Sequence, residues 1–276
     1  MKTLIINRNE EKDAILLLQK LLVRYGFPIV PDGMFGEETK QAVLEFQNQY
    51  GLDADGIVGY RSWEALFFAS RGDDMKLTEK DFELTAKLLD VETAALKAIK
   101  SVESGSYGGF FNEPGRVEEP GRRPVILFEG HVFWEQLKKR GINPESYVQG
   151  NENILYPKWD KAHYAGGVKE YERLYKARAI HREAADASAS WGMFQVMGFN
   201  HAVCGERSVA SFVDMMHKSE LHQLLLSGRF ISNNKKMLYA LQQKNWAEFA
   251  WLYNGPGYAK HDYHIKLKKA YESFAG

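Results

Sequence analysis

The sequence contains one cysteine, Cys204, among 276 residues, so no disulfide can close within the chain and the fold must stand on packing alone. A lone thiol of this kind is read as buried and inert. Neither sign of charge is in excess, with Lys+Arg 36 and Asp+Glu 36, and a nucleic-acid-binding surface, which needs a basic stripe, is not expected. No stretch approaches the roughly 20 apolar residues of a membrane span, and the opening MKTLIINRNEEKD lacks the apolar run of a secretory signal. The expectation is a monomer made in the cytoplasm with no stable membrane association. There is also no helix-borne HExxH, no cysteine set and no phosphate-cradling glycine loop. His217 and His222 do not share a helix face, and His261 and His264 flank an aromatic turn, so no metal and no cofactor are expected.

What is present points to two units, because 276 residues exceed one typical domain of roughly 100–200. Hydrophobic residues make up 45% and aromatic ones 13%, with Trp 6 and Tyr 14; such rings suit either a large core or stacking on flat sugar faces. An internal repeat stands out: Asp32-Gly33-Met34-Phe35-Gly36 recurs as Asp55-Gly56-Ile57-Val58-Gly59. Each copy follows an apolar segment ending in glutamine, Leu18-Gln19 and Phe46-Gln47, and a glycine turn at Gly26 or Gly51. Asp-Gly supplies a tight turn, and the residues after it open a short helix. Ile15, Leu18 and Leu22, then Ala42, Val43 and Phe46, have helical spacing. Two such faces close a small three-helix core.

The string from "LQKLLVRYG" through "PDGMFGEETKQAVLEFQNQYGLDADGIVGYRSWEAL" closely resembles the peptidoglycan-binding module of wall hydrolases. That resemblance implies binding of the glycan–peptide wall in a shallow groove; docking onto another protein is the alternative. "ASRGDDMKL" at 69–77 reads as a linker. Thr78 reads as an N-cap, with Asp81 as an imperfect capping box. The expected division is a wall-binding domain over 1–70, a linker over 71–77 and a catalytic domain over 78–276. The fold class is mainly α, with any small sheet falling between Glu113 and Asn153. Segments such as "SVASFVDMMHKSELHQLLLSGRFI" and "KKMLYALQQKNWAEFAWLYNG" carry apolar residues at helical spacing.

Cleaving a glycosidic bond needs a carboxylic acid that stays protonated near neutral pH, which burial achieves. Glu103 fits, since it follows an inward stripe of Leu96, Ile99 and Val102 and directly precedes a Ser-Gly-Ser break. "SVESG", "SWGMFQVMGFN" at 190–200 and "YNGPGYAKHDY" at 253–263 occur in the order seen in goose-type lysozymes and soluble lytic transglycosylases. Over about 80–276 the chain more closely resembles the muramidase domain of modular phage endolysins, with "GRRPVILFEGHVFWEQL" at 121–137 similar to that family's signature. The resemblance implies Glu103 as general acid. Ser190, Gln195, Tyr253 and Asn254 are expected to bind substrate, Gln195 by hydrogen bonds to an N-acetyl group and Tyr253 by reaching Glu103 or the sugar. Trp191 offers a stacking face or, equally, core packing against Phe194. Glu129 and His131 could position Glu103 or a water, or form a structural pair.

The second carboxylate stays open. Asp186 sits where goose-type lysozymes carry an acid that helps place the water, yet "REAADASAS" also reads as an exposed turn. Retaining and inverting geometries differ in carboxylate spacing, which sequence does not give. The endolysin resemblance implies hydrolysis between N-acetylmuramic acid and N-acetylglucosamine in peptidoglycan. The alternatives are a lytic transglycosylase leaving 1,6-anhydro ends and a non-catalytic wall-binding structural protein. An amidase or endopeptidase would bring zinc ligands or a Cys–His pair. An endolysin without a signal segment is expected to wait in the host cytoplasm until lysis releases it to the periplasm.

Overall fold

The structure, a computed structural model, describes residues 3–5, 11–69, 76–105, 108–114 and 122–276. It divides into two compact units, Met1–Asp74 with Thr78–Thr93, and Met75–Leu77 with Ala94–Gly276. The expected linker lies outside the described residues except for Lys76 and Leu77. The helix starting after Thr78, read from sequence as the opening of the second domain, groups with the first unit.

The first unit contains α1 (Lys12–Arg24), α2 (Glu37–Gln49), α3 (Tyr60–Phe68) and α4 (Glu79–Leu89). Ile15, Leu18, Leu22, Ala42, Val43 and Phe46 are all buried as their spacing predicts, and Phe35, Val58 and Trp63 complete the core. The repeat builds the same polar clamp twice. Gln19 Nε2 lies 2.9 Å from Asp32 Oδ1, 3.1 Å from the Met34 carbonyl and 3.0 Å from Thr39 Oγ1. Its Oε1 accepts the Gly33 amide at 2.8 Å. Gln47 does the same with Asp55 (3.0 Å), the Ile57 carbonyl (3.0 Å), Ser62 (3.2 Å) and the Gly56 amide (2.9 Å). Gly33 and Gly56 have φ of 78° and 70°, which the turn requires and a side chain disfavours. Both glutamines are 1% exposed, so these bonds satisfy polar groups that would otherwise be orphaned in the core. At α4, Asp81 Oδ2 accepts the Thr78 amide at 2.7 Å and its hydroxyl at 2.8 Å, which fixes the helix start.

The second unit contains α5 (Thr93–Ser104), α6 (Gly130–Lys139), α7 (Glu170–Ala187), α8 (Val209–Lys218), α9 (Glu220–Asn233), α10 (Lys235–Gln242), α11 (Trp246–Asn254) and α12 (Tyr263–Ala275). Every residue of α9 from Glu220 to Ile231 is buried, the mark of a central helix wrapped by others. Among the described residues five short strands accompany them: β1 (Phe110–Pro114), β2 (Arg122–Pro124), β3 (Ile126–Phe128), β4 (Ala189–Trp191) and β5 (Val196–Met197). β1 and β2 form an antiparallel pair, and β3-β4-β5 a three-stranded antiparallel sheet with Leu127 opposite Ser190 and Ser190 opposite Met197. The sheet is therefore not confined to the expected 113–153 interval. β4 and β5 arise from the segment at 189–197, where strands of two or three residues are too short for alternation to show.

The glutamine clamp generates a prediction. Replacing Gln19 by Leu strands the Gly33 amide and removes a donor from Asp32 and the Met34 carbonyl, and should destabilise the first unit by about 2–3 kcal/mol, whereas Gln49→Leu on the exposed face should stay within about 0.5 kcal/mol. Hydrogen exchange at the Gly33 and Gly56 amides of the full-length chain reads both variants.

Candidate active site

Glu103 is placed by α5. Ala95, Leu96, Ala98 and Ile99 are buried, and Glu103, one turn beyond Ile99, emerges on that same side in the last turn. Val102, read from sequence as part of the inward stripe, instead lines the cleft. Gly105, with φ 59°, ends the helix as a left-handed glycine does, and Ser104 Oγ donates to the Lys100 carbonyl at 3.1 Å. The Glu103 residue is half-buried. The Tyr263 hydroxyl donates to its Oε1, and the Asn254 side chain also hydrogen-bonds the carboxyl. Burial pushes the acid up to about 7, with the Tyr263 and Asn254 bonds opposing it. The negative end of the α5 dipole acts in the same direction as burial.

Glu103 opens into a cleft of about 1490 Å³ whose lining includes Glu129, His131, Ser190, Gln195, Tyr253 and Asn254. Seven residues singled out from sequence thus meet in one cavity, with more than a hundred positions separating the first from the last. Their hydrogen bonds refine the expected roles. Gln195 sits at φ 48° in the β4–β5 turn, where its Nε2 donates to the Gly192 carbonyl at 2.7 Å and the Val125 carbonyl at 3.3 Å, while its Oε1 accepts from Ser190 Oγ at 2.7 Å. Both amide hydrogens are engaged by backbone carbonyls, so Gln195 and Ser190 brace the cleft wall and only Oε1 has accepting capacity to spare. The Tyr253 hydroxyl donates to the Phe194 carbonyl at 2.6 Å, and its ring stacks on Phe249 at 5.3 Å. The hydroxyl on Glu103 is that of Tyr263, the last residue of the "YNGPGYAKHDY" segment.

Two expectations are corrected. Trp191 is 0% exposed and its Nε1 donates to the Asp186 carbonyl at 3.0 Å, so it packs in the core and offers no face to a sugar. Alternation along β4 turns Ser190 toward the cleft and its neighbour away from it. Asp186 is buried against Arg178, with Nε to Oδ1 at 2.6 Å, and is absent from the cleft lining. Its carboxylate neutralises an arginine and does not place a water.

Glu129 leads α6 and carries a network that sequence reasoning missed. The Tyr164 hydroxyl donates to its Oε2 at 2.7 Å, Trp159 Nε1 donates to that hydroxyl at 2.8 Å, and His131 Nδ1 lies 3.4 Å from the same carboxylate oxygen. Burial raises the Glu129 acid, with the Tyr164 bond and the Arg173 guanidinium opposing. Burial also lowers His131, which favours its neutral form. Beneath them Arg173 is paired with Glu170 at 2.6 Å and donates to the Phe128 carbonyl at 2.7 Å. Tyr164 and Trp159 lie in a loop with no helical period, and the one available signal was the clustering of aromatics in "YPKWDKAHY". Among the described residues, no group of three or more His, Cys, Asp and Glu is placed to share a metal ion.

The N-acetylmuramidase family matches residues 92–275, which spans α5 to α12 and the whole cleft. The chain belongs to the N-acetylmuramidase family. A peptidoglycan binding domain matches residues 11–66, over the glutamine-clamped repeats, so the chain has the modular endolysin layout. The crystal structure of Burkholderia AP3 phage endolysin is similar over 99% of each chain, at 37% identity and TM-score 0.63. N-acetylmuramoyl-L-alanine amidase CwlM of Mycobacterium tuberculosis (strain ATCC 25618 / H37Rv) is 41% identical over 59 residues, 21% of this chain and 14% of that protein. The chain therefore spans only a small part of that curated relative. No helix among the described residues is long and apolar enough to cross a membrane.

The raised acid of Glu103 has a stability consequence. Because folded Glu103 holds its proton up to about 7 against an ordinary 4.5, the folded state binds more protons than the unfolded one in that interval. The Glu103 contribution to stability is then fully present below pH 4.5 and is lost as pH rises through 7, by about 3 kcal/mol. Glu103→Gln, which keeps the shape and cannot ionise, should melt higher than wild type at pH 8, and the gap should shrink steadily toward pH 4.5.

Proposed function

We propose that the protein cleaves the β-1,4 bond between N-acetylmuramic acid and N-acetylglucosamine in bacterial peptidoglycan, with the N-terminal module holding the wall. The observation that carries this is the Glu103 carboxyl, raised to about 7 by burial at the wall of a cleft of about 1490 Å³. Protonated Glu103 donates to the glycosidic oxygen as the bond breaks. The carboxylate left behind is stabilised by the Tyr263 and Asn254 hydrogen bonds, which strengthen once their acceptor is charged.

With Asp186 tied to Arg178, Glu129 is the second carboxylate of the lining, and we assign it the placing of the attacking water with His131 beside it. The loss of Asp186 as a water-placing acid also favours a second reading. In it the muramoyl 6-hydroxyl attacks the anomeric carbon and leaves a 1,6-anhydro end. As an endolysin the protein would accumulate in the host cytoplasm and reach the periplasm at lysis.

Purified protein incubated with isolated sacculi should release soluble fragments with reducing muramic ends by mass spectrometry; 1,6-anhydro ends would establish the second reading instead. Glu103→Gln should lose about a hundredfold or more of the rate while remaining folded. In wild type, kcat should fall about tenfold per pH unit above the Glu103 value of about 7. A fully active Glu103→Gln, or binding of sacculi by wild type without release, rejects the assignment.

A further inference from the structure

The chain has six tryptophans, and the cleft uses one of them in a way the sequence did not announce. Trp63, Trp191 and Trp246 are buried, Trp134 is half-buried and Trp251 is exposed, the last two outside the cleft lining. Trp159 alone among them both lines the cleft and is 52% exposed. Leaving half of an indole in water forgoes the burial that a ring of this size ordinarily finds.

The ring is nevertheless held in one orientation. Its Nε1–H donates to Tyr164 Oη at 2.8 Å, and because indole nitrogen can only donate, the Tyr164 proton is directed onward to Glu129 Oε2 at 2.7 Å. Asp160 Oδ1 accepts the Ala162 amide at 2.9 Å, which fixes the backbone turn immediately after the tryptophan. His261, also in the lining, stands 6.5 Å away and tilted by 56°, so it flanks the indole without stacking on it. A rigid, half-exposed aromatic face inside a polar cleft matches the apolar face of a pyranose, whose C–H groups pack on a π-surface while its hydroxyls stay hydrogen-bonded.

We propose that Trp159 is a sugar-stacking subsite of the cleft, binding one N-acetylhexosamine ring of the glycan strand, with Tyr164 as the positioning residue that fixes the indole plane. This rests on the muramidase reading given above. It differs from that reading in locating the platform on the loop before α7, and it assigns Trp159 substrate affinity and no part in the proton transfer.

The test uses the full-length protein with soluble, uncrosslinked glycan strands prepared from sacculi by removing the stem peptides. Trp159→Ala should raise KM about tenfold, equivalent to about 1.4 kcal/mol, with kcat changed by less than about twofold. Trp159→Phe, which keeps a ring and loses the N–H, should recover most of the affinity. In the Glu103→Gln background, where turnover is removed, calorimetric affinity for the same strands should fall by a similar factor on adding Trp159→Ala. If wild type neither binds nor cleaves the strands, the muramidase reading itself fails. If wild type cleaves and Trp159→Ala has an unchanged KM, or loses kcat without losing affinity, the subsite is wrong and the enzyme reading stands. Equal loss by the Phe and Ala variants would likewise overturn stacking.

Discussion

The functional half of this molecule depends on one carboxyl group kept from water at the end of a helix. Glu103 and Tyr263 are brought together from α5 and the start of α12, with Asn254 arriving from the end of α11. Tyr263 meets Glu103 across 160 positions of sequence, so the contact exists only in the folded chain. The acid is therefore a product of the tertiary fold, and its altered proton affinity is a direct measure of how completely that fold excludes solvent.

Elsewhere the protein handles buried polarity by satisfying it. Gln19 and Gln47 each close an Asp-Gly turn with their full hydrogen-bonding capacity, and buried Glu170 and Glu206 are matched to Arg173 and Arg229. Those arrangements hold shape, because removing either partner leaves an uncompensated group in the core. Glu103 differs in receiving hydrogen bonds from neutral partners in place of a cation. Neutral donors steady the carboxyl without driving it to ionise, and that distinction separates a structural carboxylate from one able to give up a proton near pH 7.

Much of this was legible in the chain because it is local. The Asp-Gly repeat with its preceding glutamine states the clamp almost in full, and the apolar spacing of Leu96 and Ile99 carries Glu103 to the end of its helix. What escaped reading is what depends on direction or distance. Trp191 and Ser190 are neighbours in one strand and necessarily face opposite ways, but a three-residue strand shows no alternation from which to tell which faces the cleft. Tyr263 and Tyr164 meet their carboxylates across 160 and 35 positions, and no periodicity links residues so far apart. Asp186 looked available because its neighbours are small and polar, while the Arg178 that claims it lies two turns earlier on a kinked helix, bent at His181.

The most direct test of the account is the protonation of Glu103 itself, followed by the side-chain carboxyl ¹³C shift across a pH titration of the intact protein and assigned by its disappearance in Glu103→Gln. The account predicts a midpoint near the value of about 7 set by its buried position. A midpoint near 4.5, the ordinary value for a solvated glutamate, would contradict it.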